Sequence, residues 1–455
     1  MSEKLPTTDI ETADAPVTEK GTFAGEKLPE SDTPAYVRTP RARSEKAEAA
    51  EEFDDEIACD YCDEVIKSLC DYADGLTSTK EETACARKLR DELSHYATTR
   101  MEAFRTPPYA GRNCCALIAV AYFFAAFFYF MSFFGDRVAG IVLVLISLGI
   151  LIGGGTAAAF AFLGDERALK VLYPRKVSYN VFSENKPFRE QQGNKLLLIA
   201  SNHDAAPGSY FMNFDFVRKV VMIVAPVSVL LFILFCLIKL GVGSDTVSKI
   251  TSLTVLPFLT IVAGIFALLV HFSPFQKHAR ENNGAATAVS MAIYRHLLAH
   301  PEKLPEGTRV CFVSFGGENS AHAGSRAFAA AHPEIKGAKA LVLGDIESSS
   351  FALIRRDALR NKEFSHTSAS ALFSAVEATG VPCSLPPTDG TKAKLNALHG
   401  YAANALADAG CECAVFCAKD YTASEKGVSK EDAGKLYSLA LQTILEMAGE
   451  KERDE

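Results

Sequence analysis

Polar side chains that could do chemistry follow three apolar runs of the sequence. Directly after LLLIAS, RVCFVSFGG and LVLG come Asn202, His203, Asp204, Glu318, Asn319 and Asp345. A short apolar run that ends in polar residues is typical of a buried strand in an α/β sheet, and ligand sites of such sheets lie at the carboxyl ends of the strands. Carboxylate and imidazole groups are ligands that metal ions prefer. The three clusters therefore predict one site at the carboxyl edge of a sheet, with nearly the composition of a metal centre.

The elements that must position these clusters alternate between strand and helix. Predicted strands are VSYNVFSEN, KLLLIASN, RVCFVSFGG, KALVLGDIE and CECAVFCA. Predicted helices are ATAVSMAIYRHLLAH, AHAGSRAFAAAH and KEDAGKLYSLALQTILEMAGE, and two more, EIACDYCDEVIKSLCDYADGL and KEETACARKLRDELSHYA, precede them. This alternation predicts an α/β fold, with a mixed, mostly parallel sheet and helices on both faces.

Long apolar runs interrupt this pattern twice. Residues 113–164 and 219–274 each contain two runs of about 20 apolar residues separated by a short turn, a length that can cross a bilayer. The sequence therefore predicts two transmembrane helical hairpins and the lipid bilayer as a partner. Lys and Arg residues are concentrated on the side of the large domain, which predicts a multi-pass protein of the cell membrane with that domain in the cytoplasm.

The remaining segments differ in composition. Residues 1–52 are rich in Glu, Asp, Pro and Thr and predict a disordered acidic tail. Residues 53–112 predict amphipathic helices that lead into the domain, and residues 165–218 and 275–450 its two parts. Residues 1–56 hold 15 acidic and 7 basic residues, which accounts for the whole net charge of −8. The balanced remainder has no basic patch for nucleic acid.

The clusters resemble the motifs of the zinc aminopeptidases of metallopeptidase family twenty-eight, which includes glutaminyl cyclases and the transferrin-receptor ectodomain. NHDAAPGS is similar to the family's His-x-Asp-Ser motif, with Asp204 at the Asp position and Asn202 at that of the ligand His. ENNGAATAVSMA resembles the Asp-Asn-x-x-Gly motif, with Asn282 where the bridging Asp stands. CARKLRDELSHYATTRMEAFRTPP resembles the family's opening helix. The resemblance extends from about Ala84 to Gly449.

Three further motifs continue the resemblance. FVSFGGENSAHAGSR resembles the family's Glu-Glu motif, with Glu318 at the general-base position and Asn319 at the ligand position. LVLGD is similar to the fourth motif and places Asp345 at its ligand position, and GYAANALADAGCECAVF resembles the last, with Ala402 at that of the final ligand His.

The resemblance implies a zinc-exopeptidase fold whose metal site is largely lost. Zinc requires nitrogen, sulfur or carboxylate donors, and a neutral carboxamide is a poor substitute. Of the five ligand positions, three carry Asn and one carries Ala, so only Asp345 is retained. We therefore expect no zinc and no other cofactor, a vestigial general base in Glu318, and a strand-end hydrogen bond as the role of Asp204.

Three function classes remain open. The first is a membrane-anchored pseudopeptidase that binds a peptide, a small ligand or a protein partner. The second is an active membrane-bound metallo-aminopeptidase with an altered or single zinc site, built from His203 and Asp345 with His322. The third is a membrane scaffold. We favour the first, because acidic residues persist around a neutralised site, and the sequence leaves the oligomeric state open.

Overall fold

A computed structural model of the chain describes residues 53–72, 75–108, 110–162, 174–185, 195–205, 215–242, 284–320, 322–344, 346, 350–357, 362–365, 367–386, 402–418 and 428–449. The predicted acidic tail, the second run of the second apolar hairpin, Asn282 and Asp345 lie outside these residues.

The described part of the chain is built around an eight-stranded sheet. Its strands are β1 (Thr98–Thr106), β2 (Lys176–Glu184), β3 (Leu196–Asn202), β4 (Arg309–Phe315), β5 (Lys339–Leu343), β6 (Phe351–Ile354), β9 (Cys383–Ser384) and β10 (Glu412–Ala418). A separate two-stranded ribbon consists of β7 (Arg356–Asp357) and β8 (Lys362–Glu363). The sheet order is β1-β2-β4-β3-β5-β10-β6-β9. Its centre, β4, β3, β5 and β10, is parallel. The pairs β1–β2, β2–β4 and β10–β6 are antiparallel, and β9 pairs parallel with β6. The predicted mixed, mostly parallel sheet is confirmed.

The described residues form ten α-helices, which pack on this sheet or lie between its strands in the chain order. They are α1 (Asp55–Cys70), α2 (Lys80–Leu93), α3 (Ala110–Met131), α4 (Arg137–Phe162), α5 (Asp215–Val242), α6 (Gly284–Ala299), α7 (Ala323–Ala331), α8 (Ser368–Thr379), α9 (Ala403–Asp408) and α10 (Lys430–Gly449). One apolar core joins α1, α2, α6, α8 and α10 to one face of the sheet. A second core joins α7 and α9 to the opposite face. Helices therefore cover both faces, as the sequence predicts.

The segment before the first apolar run differs from the prediction. The sequence resemblance implies a helix throughout CARKLRDELSHYATTRMEAFRTPP, but α2 ends at Leu93 and the second half of that segment is β1. All nine residues of β1 pair antiparallel with β2. The pairing with a distant strand, which local sequence does not reveal, determines the conformation here.

The apolar helices pack on one another around a small core of their own. Tyr122, Tyr129, Val144, Leu151 and Phe232 are among its buried residues. Large apolar side chains on the outside of the same helices are exposed, namely Phe123, Phe124, Phe127, Phe134, Val138, Leu145, Ile223 and Leu230. Among the described residues, one segment, Arg137–Ala157, is long and apolar enough to cross a membrane, and Val120–Met131 and Val227–Val242 are shorter apolar helices.

Small residues allow α3 and α4 to approach closely. A Cβ added at Gly154 would lie 2.6 Å from the Cβ of Ala121, so the helices touch at this point. Nearby, the Ser147 hydroxyl donates to the Ala125 carbonyl across the same interface at 2.7 Å. A close backbone approach and an interhelical hydrogen bond are the contacts that hold helices together in an apolar surrounding.

Candidate functional site

Parallel pairing of β3 and β4 brings two of the predicted polar clusters side by side. Asn202 is in register with Phe315, so the residues that follow each strand end at the same edge of the sheet. The His203 amide continues the pairing by donating to the Phe315 carbonyl at 3.0 Å. Asn202, Asp204, Glu318 and Asn319 therefore form one group, here named the strand-end site.

Asp204 is the centre of the strand-end site. Its carboxylate is buried and accepts hydrogen bonds from the Asn319 amide N–H at 2.9 Å and from the Thr77 hydroxyl at 3.0 Å, both at Oδ2. The side-chain amide of Asn202 donates to Oδ1 at 3.4 Å, and that of Asn319 donates to the Asp204 carbonyl at 3.1 Å. Both asparagines thus direct their NH2 groups at Asp204, and Asp204 makes more than the single strand-end hydrogen bond that the sequence predicts.

A second buried carboxylate, Glu82, lies behind Asp204. Its Oε1 accepts from the Ser178 hydroxyl at 2.6 Å and from the Gly317 amide at 3.0 Å, and its Oε2 accepts from the Ser78 amide. Burial, together with the negative charge of Asp204, raises the pKa of Glu82 to about 8. Burial and the charge of Glu318 also raise the pKa of Asp204 to about 6, against the lowering effect of its hydrogen bonds. Glu82 and Asp204 therefore release their protons at a higher pH than free carboxylic acids do.

Sequence reasoning missed Glu82, although its position carries a signal. It lies on the buried stripe of α2 with Cys85, Leu89 and Leu93, where an acidic residue is unexpected. It also stands three residues after Thr79, whose side chain caps the helix and accepts from the Glu82 amide at 3.3 Å. An acidic residue in the first turn of a helix and on its apolar face is a recognisable candidate for a buried carboxylate with hydrogen-bond partners inside the protein.

Glu318, the general-base position of the resemblance, is committed to internal contacts. Its side chain is only 6% exposed, and its Oε1 accepts from the Ser325 amide at the start of α7 at 2.5 Å. Its Oε2 lies 3.1 Å from Nδ1 of His322, whose side chain is 21% exposed. A carboxylate at a helix N-terminus is stabilised by the unpaired amides and by the helix dipole. Both oxygens of Glu318 therefore have partners within the chain.

Two glycines and an asparagine hold the loop that carries Glu318. Gly324 packs so closely on the Gly316 carbonyl that a Cβ would lie 2.0 Å from its oxygen. Asn180 of β2 spans both residues, accepting from the Gly316 amide at 3.2 Å and donating to the Gly324 carbonyl at 3.0 Å. The Ser320 hydroxyl donates to the Pro107 carbonyl at 2.5 Å, which ties the loop to the end of β1. The start of α7 is thereby fixed against the sheet.

The remaining predicted site residues lie apart from this group or outside the described residues. His203 is buried, and its Nδ1 lies 2.9 Å from the Ser314 hydroxyl; burial lowers its pKa to about 3. Ala402 precedes α9 and packs against the second core. Asn282 and Asp345 are not among the described residues, so the structure does not place the pair His203 and Asp345.

Zinc, the metal that the resemblance implies, does not fit the donors of the described site. Asn202 and Asn319 point amide NH2 groups inward, and an NH2 group donates hydrogen bonds and cannot ligate a cation. The Asp204 carboxylate is buried and bonded to Thr77 and Asn319. Within the part of the chain that the structure describes, no three His, Cys, Asp or Glu side chains are grouped so that they could hold a metal ion.

Comparisons with known proteins give similarities of fold at low sequence identity. No protein-family profile and no curated protein matches the chain. Among solved structures, glutaminyl cyclase from Fimbriiglobus ruber is 12% identical, with 87% of this chain and 96% of that chain covered and a TM-score of 0.44. A zinc aminopeptidase from Bacillus subtilis is 11% identical, with 89% and 97% covered and a TM-score of 0.45. The aminopeptidase from Aneurinibacillus sp. strain AM-1 is 12% identical, with 88% and 95% covered and a TM-score of 0.42.

Proposed function

We propose that the protein is a membrane-anchored pseudopeptidase: a multi-pass membrane protein with an aminopeptidase-like cytoplasmic domain that binds a peptide, a small ligand or a protein partner without zinc-dependent hydrolysis. The family relationship rests on the five sequence motifs. The loss of zinc chemistry rests on the substitutions at the ligand positions, of which the described ones are Asn202, Asn319 and Ala402.

The observation that carries the proposal is the hydrogen bonding of Asp204. A metal centre would need charged donors that face a cation. The Asp204 carboxylate instead accepts from the side-chain amide of Asn202 and from the backbone amide of Asn319, and the side-chain amide of Asn319 donates to the Asp204 backbone carbonyl. Glu318, which in the resemblance would activate a metal-bound water, has a partner within the chain at each oxygen, Ser325 at Oε1 and His322 at Oε2. The acidic side chains of the strand-end site thus have hydrogen-bond partners within the chain and need no metal ion to stabilise them.

The membrane part of the proposal rests on the exposed apolar surface of α3, α4 and α5. Phe123 on α3 is 60% exposed, Val138 on α4 is 70% and Leu230 on α5 is 66%. Contiguous apolar surface of this kind requires a covering, and lipid tails supply it for helices as long as Arg137–Ala157. The proposal also includes the two transmembrane hairpins and the cytoplasmic location of the large domain that the sequence predicts.

The experiment that tests the loss of zinc chemistry is a measurement of metal content and turnover on the full-length protein purified in detergent. We expect less than stoichiometric zinc and no cleavage of a chromogenic aminopeptidase panel above the background of the Glu318→Gln variant. An active metallo-aminopeptidase would show stoichiometric zinc and a turnover that Glu318→Gln abolishes, and that result would refute the pseudopeptidase. Glu302→Gln, an exposed substitution on the surface, is the control for general damage.

Cysteine labelling tests the orientation. Cys70 is exposed on α1, so an impermeant maleimide should modify it only after the cells are permeabilised. Arg137→Cys in a Cys70→Ser background places an exposed thiol at the first residue of α4, next to the turn that follows α3, and it should react in intact cells. Labelling of Cys70 in intact cells, with Arg137→Cys protected, would reverse the orientation.

A further inference from the structure

We propose that His322, and not Glu318, is the acid–base group that the strand-end site presents to a ligand, and that Glu318 is the positioning residue that fixes the tautomer of its imidazole. The inference rests on the proposed function in one respect, that the site still receives a ligand. It assigns the ligand a chemical class: one with an O–H or N–H group that donates to the imidazole.

The first argument is the difference in exposure between the two side chains. Glu318 is 6% exposed and His322 is 21% exposed, so the imidazole is the more accessible of the two groups. Each oxygen of Glu318 also has a partner within the chain, Ser325 at Oε1 and His322 at Oε2. A ligand can therefore reach the imidazole more readily than the carboxylate.

The second argument is the proton on the ring. An ionised carboxylate only accepts hydrogen bonds, so the 3.1 Å contact between Glu318 Oε2 and His322 Nδ1 requires the proton on Nδ1. In its neutral form the ring then carries a lone pair on Nε2, for which the described residues provide no hydrogen-bond donor. A carboxylate that orients an imidazole through Nδ1 and leaves Nε2 free is the arrangement by which histidine acts as a base.

The third argument is that the backbone holds the ring in place. His322 has a φ of 56°, in the left-handed region that non-glycine residues seldom adopt. Its amide donates to the Glu318 carbonyl at 2.9 Å, and its own carbonyl accepts from the Ser325 hydroxyl at 3.3 Å and from Arg326 Nε at 3.2 Å. A strained backbone residue that its surroundings fix in one conformation is characteristic of functional positions.

The chemistry that follows is a proton exchange. Nε2 accepts the hydrogen of a ligand hydroxyl, amine or water, and a proton that moves would pass from that group to Nε2. The resulting imidazolium would lie against the Glu318 carboxylate, which stabilises it as an ion pair. His203 cannot take this role, because its ring is buried and its Nδ1 faces Ser314.

The test reads the tautomer of His322 directly by 15N NMR of the full-length protein in detergent micelles, with His322→Asn to assign the signal. We expect the Nδ1–H tautomer in the unmodified chain. In Glu318→Gln, the Ser325 amide still needs an oxygen, so the new NH2 group faces Nδ1 and forces the ring proton to Nε2. Carbethoxylation of His322, followed by mass spectrometry, should then slow by about tenfold, because the reactive Nε2 lone pair returns only when the ring gives up the hydrogen bond from the new amide, which is worth up to about the 1.4 kcal/mol of one decade.

Glu302→Gln is the matched control, because Glu302 Oε1 lies 3.1 Å from Nδ1 of His300 in a second, exposed carboxylate–imidazole pair. It should leave the His322 signal and its reactivity unchanged. An Nε2–H tautomer in the unmodified protein, or an unchanged tautomer in folded Glu318→Gln, would overturn the proposal. If Glu318→Gln does not fold, the tautomer of the unmodified chain decides alone. The tautomer measurement uses neither metal nor substrate. Zinc-dependent turnover would therefore refute the pseudopeptidase without deciding the tautomer of His322.

Discussion

Gly324→Ala is expected to lower the free energy of unfolding by about 3 kcal/mol, the upper part of the range for overpacking in a filled core. The new Cβ would lie 2.0 Å from the Gly316 carbonyl oxygen and 2.7 Å from Oδ1 of Asn180. The first contact is with backbone, which cannot rotate away, and the second breaks the hydrogen bonds by which Asn180 joins the Glu318 loop to α7. Chemical denaturation in detergent, followed by far-UV circular dichroism, measures the loss.

Gly344→Ala is the matched control for Gly324→Ala. Gly344 follows β5, and no atom of the described residues lies within 4 Å of a Cβ placed there. It should change the free energy of unfolding by less than about 0.5 kcal/mol, as surface substitutions commonly do. Equal effects of the two substitutions would show that the contact between Gly324 and Gly316 is not the source of the destabilisation.

The second expected result is a loss of stability between pH 6.5 and pH 8 that depends on Glu82. Burial, with the charge of Asp204, raises the pKa of Glu82 from 4.5 to about 8. Between these values the folded state binds a proton that the unfolded state has released, so the free energy of unfolding falls as the pH rises. From pH 6.5 to 8 the fall due to Glu82 is about 2 kcal/mol, since one proton is worth about 1.4 kcal/mol per pH unit.

The window starts at pH 6.5 because other buried groups act in the opposite direction below it. Burial lowers the pKa of His203 to about 3 and that of His296 to about 4. The unfolded state therefore binds their protons below pH 6.5, and these two residues make stability rise with pH there. Asp204, whose pKa is raised to about 6, partly offsets them in the same range.

Glu82→Gln isolates the contribution of Glu82. The glutamine side chain cannot release a proton. Between pH 6.5 and 8 the free energy of unfolding of the variant should therefore fall by about 2 kcal/mol less than that of the unmodified chain. It will be less stable at pH 6.5, because one amide nitrogen must replace an oxygen that accepts from Ser78, Ser178 or Gly317. Parallel pH curves for both proteins would contradict the raised pKa of Glu82.

The central strands of the fold could be predicted because each carries its own signal. LLLIAS and RVCFVSF are short apolar runs followed by polar residues, and this pattern needs no information from the rest of the chain. The same signal placed Asn202, Asp204, Glu318 and Asn319 at one edge, where the structure brings them together. Parallel strands in one sheet leave few other arrangements.

The parts that could not be predicted depend on distant partners. The segment that forms β1 reads as the continuation of a helix, and only its nine-residue pairing with β2 makes it a strand. The contact of Glu82 with Ser178 and Gly317 joins residues about 100 and 235 positions apart. Similarly, His322 appears in the sequence as an isolated histidine, and only the turn before α7 brings its ring to Glu318.

The pairing of β1 with β2 has a consequence for biosynthesis. The 69 residues between Thr106 and Lys176 include α3 and α4, so the two strands are synthesised on either side of the first apolar hairpin. On the membrane placement that we propose for that hairpin, β1 would remain unpaired at the membrane surface until both helices were inserted and the ribosome had delivered β2. The edge of the sheet would then be completed only after membrane insertion. A failure of insertion would leave an exposed strand that invites aggregation.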